Sequence, residues 1–309
     1  MKTFIFSALA LGMMASCSNT EVEGIDVVDN GEPVAIQVTA GVQTNVVAGV
    51  TRAPLVSGTF EATILGWEGT AAPDYATATP WLVTAAGINV ATSTTVTLNK
   101  YYDTDNTKKT YMKACYPVGT VTNGVYNFTD IDKDGSVDVL YAGEISGSRA
   151  AAPTTGFVFN HMLTQIKFSI KAGDGLLNGT KLKSISLNAP QVATGINLNT
   201  NALVTEVPST PISVKIAEGG IEIQDGEPTP IVDSELMIAP TTEKTMSLTV
   251  VTNDGTKDKT FSNVEVTVKE GNSFAAGTAY TVTLTFKEKI SVETTVTAWK
   301  TAEASGDVE

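Results

Sequence analysis

Apolar residues recur at every second position along this 309-residue chain, and no long stretch repeats with the 3.6-residue period of a helix. Val34, Ile36, Val38, Ala40 and Val42 alternate with Ala35, Gln37, Thr39 and Gly41. Tyr280, Val282, Leu284 and Phe286 alternate with threonines, and Ile290, Val292, Thr294, Val296 and Ala298 repeat the pattern of 34–42 near the far end. Successive side chains of a strand point to opposite faces, so these runs predict strands with one buried face. With 42% hydrophobic residues the chain has enough apolar mass for a sizeable core, and its length suits about two domains. An all-β fold is expected, with a sandwich in each half.

Further strands are predicted at Phe60–Trp67, Trp81–Ala85, Thr94–Leu98, Tyr111–Tyr116, Val139–Ala142, Lys183–Leu187, Ile212–Ile216, Glu235–Ile238, Met246–Val251 and Val264–Val268. The stretch Gly143 to Gly156 is rich in Gly, Ser, Ala, Thr and Pro and reads as a linker or long loop. A domain boundary is therefore expected near 155, dividing the folded chain into 33–155 and 156–309. Beyond it, Phe157, Phe159, His161 and Leu163 are in one phase and Ile166, Phe168 and Ile170 in another. A bulge or corner between Leu163 and Ile166 would reconcile them.

Charge and reactive residues narrow the chemistry. A net charge of −13 argues against nucleic-acid binding, which needs a basic stripe. Cys17 and Cys115 are the two cysteines, too few for a disulfide framework or a zinc cluster. His161 is the single histidine, and no nucleophile-elbow pattern accompanies it. No enzyme and no cofactor is therefore expected. Asp130, Asp132, Asp134 and Asp138 alternate around Gly135 like the opening of a calcium loop. The usual acidic twelfth ligand is replaced by Tyr141, so an acidic turn before a strand is the favoured reading and calcium the weaker one.

The amino terminus reads as an address. Residues 1–16 have a basic start, an apolar core from Thr3 to Met14 and small residues ahead of Cys17. The run is too short to span a bilayer. Its ending resembles a bacterial lipobox, with Met14 as a mild departure, and that resemblance implies cleavage before Cys17 and lipid on its sulfur. Residues 17–32 are polar and acidic and read as a tether. Arg52 is one of only two arginines. It follows the 34–42 strand and a Gly-containing loop, where a trypsin-like protease could cut the Arg52–Ala53 bond. Such a cut would free one strand from the rest of the chain. Arg149–Ala150 is the rival site and would separate the halves.

Several short motifs in this order resemble the fimbrillin family of Bacteroidetes, the type V pilus subunits and their Mfa-like relatives. They are the lipoprotein-like start, Thr51-Arg52-Ala53, Tyr116-Pro117, Asp138-Val139-Leu140-Tyr141-Ala142, Phe159-Asn160-His161-Met162-Leu163 and Val296-Thr297-Ala298-Trp299. The resemblance implies two transthyretin-like Greek-key β-sandwich domains in tandem and export as a lipoprotein to the outer membrane, cell surface and fimbrium. It also implies cleavage after Arg52 by a trypsin-like protease, and other pilus subunits as partners through strand exchange. The polar, acidic tail 300–309 departs from a stalk subunit's apolar donor extension, so the donor would have to be 290–299. A non-polymerising surface adhesin for glycan or protein is the alternative, with Trp67, Trp81 and Trp299 the aromatic residues to place.

Overall fold

The computed structural model describes residues 32–42, 57–129, 131–269, 271–287 and 290–298. Nine strands come first: β1 (Ala35–Val42), β2 (Thr59–Gly69), β3 (Trp81–Asn89), β4 (Thr94–Tyr101), β5 (Lys109–Tyr116), β6 (Gly119–Thr122), β7 (Val125–Phe128), β8 (Leu140–Gly147) and β9 (Phe157–His161). Six follow as β10 (Thr164–Ala172), β11 (Lys181–Leu187), β12 (Val192–Asn197), β13 (Leu203–Glu206), β14 (Ile212–Ser213) and β15 (Ile221–Glu222). The last six are β16 (Thr229–Pro230), β17 (Leu236–Ile238), β18 (Thr245–Asn253), β19 (Asp258–Thr267), β20 (Thr278–Phe286) and β21 (Ser291–Ala298). The fold is all-β, as the period-two pattern requires.

Seven strands form one sheet in the order β3-β2-β5-β8-β9-β1-β4. Their inward side chains make one core, including Ile36, Val38, Phe60, Ile64, Leu98, Met112, Leu140, Phe157 and Phe159. Two further sheets, built on β10-β20-β21 and β11-β18-β19, enclose a second core of Ile166, Phe168, Ile185, Leu248, Val250, Val282 and Leu284. That is sandwich packing, with inner faces apolar and outer faces polar. The phase change between Leu163 and Ile166 has a topological cause. β9 pairs with β8 and β1, whereas β10 pairs in parallel with β20 over nine residues. The chain leaves one sheet for another at Met162-Leu163, so the side chains change face there.

A fourth sheet, β13-β12-β7-β6, takes strands from both parts of the chain. Its hairpins were not predicted from the sequence, although one carries a clear turn signal. Asn123-Gly124 joins β6 to β7, with φ of 50° and 71°, the mirror-type turn that matches strand twist. Over this sheet lies a third core of Leu65, Trp67, Tyr126, Phe128, Tyr141, Leu163, Ile196 and Met237. Buried Lys113 of β5 adds a polar tie, donating to the Leu198 carbonyl at 2.6 Å and to Asn201 Oδ1 at 2.9 Å. Its ammonium lies 3.7 Å from the centre of the Tyr75 ring, and Tyr141 donates to the same Asn201 oxygen at 2.6 Å.

Smaller differences from the expected strands follow from burial. Val34 precedes β1 and is 39% exposed, so the inward face has four members rather than five. The strand expected over Ile212–Ile216 is only two residues long. Trp81 lies across Gly66, where a β-carbon would sit 1.9 Å from the indole.

Two outcomes follow. Gly66→Ala should destabilise the protein by about 1–3 kcal/mol through overpacking against Trp81, read by chemical denaturation. Burial holds the Lys113 ammonium below its usual range, so the unfolded chain binds that proton more tightly. Stability should therefore rise with pH between the lowered value and the ordinary lysine value of about 10.4. Lys113→Met should flatten that rise and cost about 1–3 kcal/mol by leaving the Leu198 carbonyl without its donor.

Candidate functional site

β1 lies inside the seven-stranded sheet and not at its edge. It runs antiparallel to β4, with Gln37 opposite Thr97, Thr39 opposite Thr95 and Ala40 opposite Thr94. On its other side it runs parallel to β9, with Ala40, Gly41 and Val42 in register with Phe157, Val158 and Phe159. Among the described residues, β4 has no other ladder partner. Ile36, Val38, Ala40 and Val42 point inward and are 0–9% exposed, while Gln37 and Thr39 are exposed.

These four side chains hold the strand in place. Full burial of a Val or Ile is worth about 1.5–3 kcal/mol, so β1 contributes roughly 5–9 kcal/mol of gross burial as an upper bound. Folded domains are stable by about 5–15 kcal/mol in all. Losing β1 would uncover that apolar face and bare the backbone edges of β4 and β9. Gly156 lets the strand lie close. A β-carbon there would stand 2.5 Å from the Thr39 carbonyl oxygen and 2.0 Å from its hydroxyl. Nothing in the local sequence marks Gly156 for this role, because the contact is with a strand more than a hundred residues away.

Cys17, Arg52, Ala53, Asp130 and Trp299 lie outside the described residues. The rival Arg149–Ala150 bond lies in a closed turn, where the Ser148 and Ala151 backbones each donate to the other, at 2.7 and 3.2 Å. Both flanking strands, β8 and β9, remain paired in the sheet. Within that turn Arg149 is half-buried and Ala150 exposed.

Three aspartates of the calcium-like run lie among the described residues, Asp132, Asp134 and Asp138. Asp132 and Asp134 are exposed, and Asp134 Oδ1 accepts from the Ser136 backbone at 2.9 Å. Asp138 is buried. Its Oδ2 lies 2.6 Å from His161 Nδ1, and its Oδ1 accepts from the Val139 backbone at 2.8 Å. Among the described residues no group of three His, Cys, Asp or Glu could hold a metal ion. The same loop docks onto the rest of the fold through the Gly135 carbonyl, which accepts from Met237 at 2.7 Å, and through Lys133 with Glu206 at 2.5 Å. His161, at the end of β9, orders the corner into β10.

The remaining reactive side chains are packed. Burial pushes the Cys115 thiol far above its usual range, which keeps it protonated and unreactive. Trp67 is 4% exposed and donates to the Ala78 carbonyl at 3.1 Å. Trp81, laid on Gly66, is half-buried, with the Lys100 ammonium 5.7 Å from the centre of its ring.

These features define an all-β protein of β-sandwich type whose first described strand lies inside its main sheet. The chain belongs to the fimbrillin-like family, whose sequence model matches residues 51–299. Membership makes it a pilus-related protein of the cell surface and sets it among structural proteins, not enzymes. Solved structures share the fold at low identity. A candidate cell adhesion protein from Bacteroides uniformis is 20% identical, covering 88% of this chain and 99% of its own, with a TM-score of 0.55. Another, from Parabacteroides distasonis, is 10% identical over 87% of this chain and 97% of its own, with a TM-score of 0.52. No curated protein matches the sequence.

Gly156→Ala should loosen β1 without touching the core. Overpacking of this kind costs about 1–3 kcal/mol. The expected result is a lower melting temperature, with faster hydrogen exchange confined to the β1 amides and their β4 and β9 partners.

Proposed function

We propose that this chain is a structural subunit of a cell-surface type V pilus, matured by cleavage after Arg52 and assembled by donor-strand addition. The observation that carries this reading is the setting of β1. It is an interior strand with four buried side chains, and its only covalent link to β2 is the 43–58 segment that contains Arg52. Cutting that segment turns a bonded strand into a dissociable one. Its departure would leave a groove between β4 and β9, lined by Phe157, Phe159 and Leu98 and edged by unpaired backbone groups. A strand from another subunit restores both the burial and the ladder, which is recognition by β-strand addition.

Lipidation at Cys17 would hold the precursor at the outer membrane until the cut at Arg52 separates the anchor and β1 from the subunit. Cleavage would thus couple release from the membrane to opening of the groove.

β21 supports the donating side of the reading. It is an edge strand that pairs only with β20 among the described residues. Ile290, Val292 and Val296 are only partly buried against the second core. An edge strand of this kind is held by one ladder and can leave more readily than β1, which is held by two.

The test is to incubate the purified lipid-free protein with a trypsin-like protease. A new amino terminus at Ala53 and SDS-resistant ladders are expected. Arg52→Ala should keep its fold, resist the cut and give no ladder. Normal assembly of Arg52→Ala in cells would refute strand release at this bond.

A further inference from the structure

Two clefts of about 430 and 440 Å³ lie side by side in the second half of the molecule and share one wall, Ala189-Pro190. That wall is the crossing from β11 to β12, where the chain passes from one sheet to another. The loop 208–211 closes one cleft and the loop 240–245 the other. Ala189 has a φ of 48°, in the left-handed region where a β-carbon is strained. Such strain persists only where the surroundings hold it, and it gathers at ligand sites. We propose that the paired clefts bind a neutral oligosaccharide, with sugar residues in both lobes and the chain crossing Ala189-Pro190.

The lining sets the chemistry of the ligand. No Lys, Arg or His lines either cleft, so an anionic group would find no counter-charge there and would face Glu243. The hydrogen-bonding side chains are hydroxyls, amides and that one carboxylate. Hydroxyls both donate and accept, as those of a sugar do. Thr205 donates to Gln191 Oε1, which leaves the Gln191 amide protons to donate into the cleft. The Glu243 backbone donates to Thr241 Oγ1 at 3.0 Å. That bond fixes the turn and presents the exposed Glu243 carboxylate as an acceptor for ligand hydroxyls.

The apolar part of the lining suits the C–H faces of sugar rings. Buried Leu187 lines one lobe and buried Ile238 the other, and proline rings flank both. Small-molecule sites combine such an apolar lining with a few polar groups, in volumes of about 300–1,000 Å³. Two lobes of nearly equal volume match a ligand built of repeating units. No aromatic ring lines either cleft, so binding to a single copy is weak. No lining residue belongs to β1, β4 or β9, so the site is independent of cleavage at Arg52. A weak site repeated on every subunit of a pilus would gain by multivalency, and that consequence alone rests on the pilus reading.

The test is an NMR titration of the uncut, lipid-free, isotope-labelled protein with neutral trisaccharides of glucose, mannose and N-acetylglucosamine at millimolar concentration. At least one of the three should shift amides lining both lobes and no others, and a galacturonic acid trisaccharide of the same size should shift none. Thr210→Trp and Thr242→Trp each fill one lobe from an exposed position. Each should keep the wild-type melting temperature and weaken binding at least tenfold, because the ligand occupies both lobes. If either tryptophan lowers the melting temperature, Thr210→Arg and Thr242→Arg give the same reading. Glu243→Gln should weaken binding several-fold. No shift from any of the three sugars, shifts outside the lobes, or binding that survives a filled lobe would overturn the proposal. Equal or tighter binding of the galacturonic acid trisaccharide, or of a proline-rich peptide, would overturn it as well.

Discussion

The double ladder on β1 is the interaction on which the first part of the molecule depends. β4 is hydrogen-bonded to β1 and to no other described strand, and β9 reaches β4 only through it. One eight-residue strand therefore joins the last strand of the main sheet to the rest and closes its core over Phe157 and Phe159. A strand in that position is usually inseparable from the fold. Here it lies ahead of the whole remaining chain and is joined to it through a single connection.

The parallel pairing with β9 carries this arrangement into the second half. β9 runs through Met162-Leu163 directly into β10, the strand on which β20 and then β21 are built. The acceptor face and the proposed donor strand are consequently parts of one backbone path with a single sharp corner, fixed by the buried Asp138–His161 pair. The fourth sheet and the Lys113 tie join the same two parts by separate routes. The described residues from Pro33 on form one compact unit for that reason.

Much of this was legible in the residues. Alternation placed β1, β4, β20 and β21, whose apolar residues fall in one phase, whereas β2 and β5 read as apolar runs and are buried on both faces. The hairpins β6–β7 and β12–β13 were missed because their strands are short and rich in Gly, Thr and Asn, although Asn123-Gly124 is itself a hairpin signal. The aspartate run shows where spacing stops. Its spacing suits a calcium loop, but spacing says nothing about where each carboxylate turns, and Asp138 turns inward to His161.

By itself the sequence determined that the chain is all-β, that its first and last strands carry matching apolar faces, and that an arginine follows the first of them. These are properties of local pattern, set by side-chain alternation and by residue type. Only the tertiary structure decided that β1 is interior and β21 an edge, that Gly156 must have no side chain, and that Thr294 faces Val282 while Ala40 faces Thr94. Strand order and register arise from pairings between residues up to a hundred or more positions apart, and the alternation of a single strand is compatible with many neighbours. Which neighbour it has decides whether a strand is held by one ladder or by two.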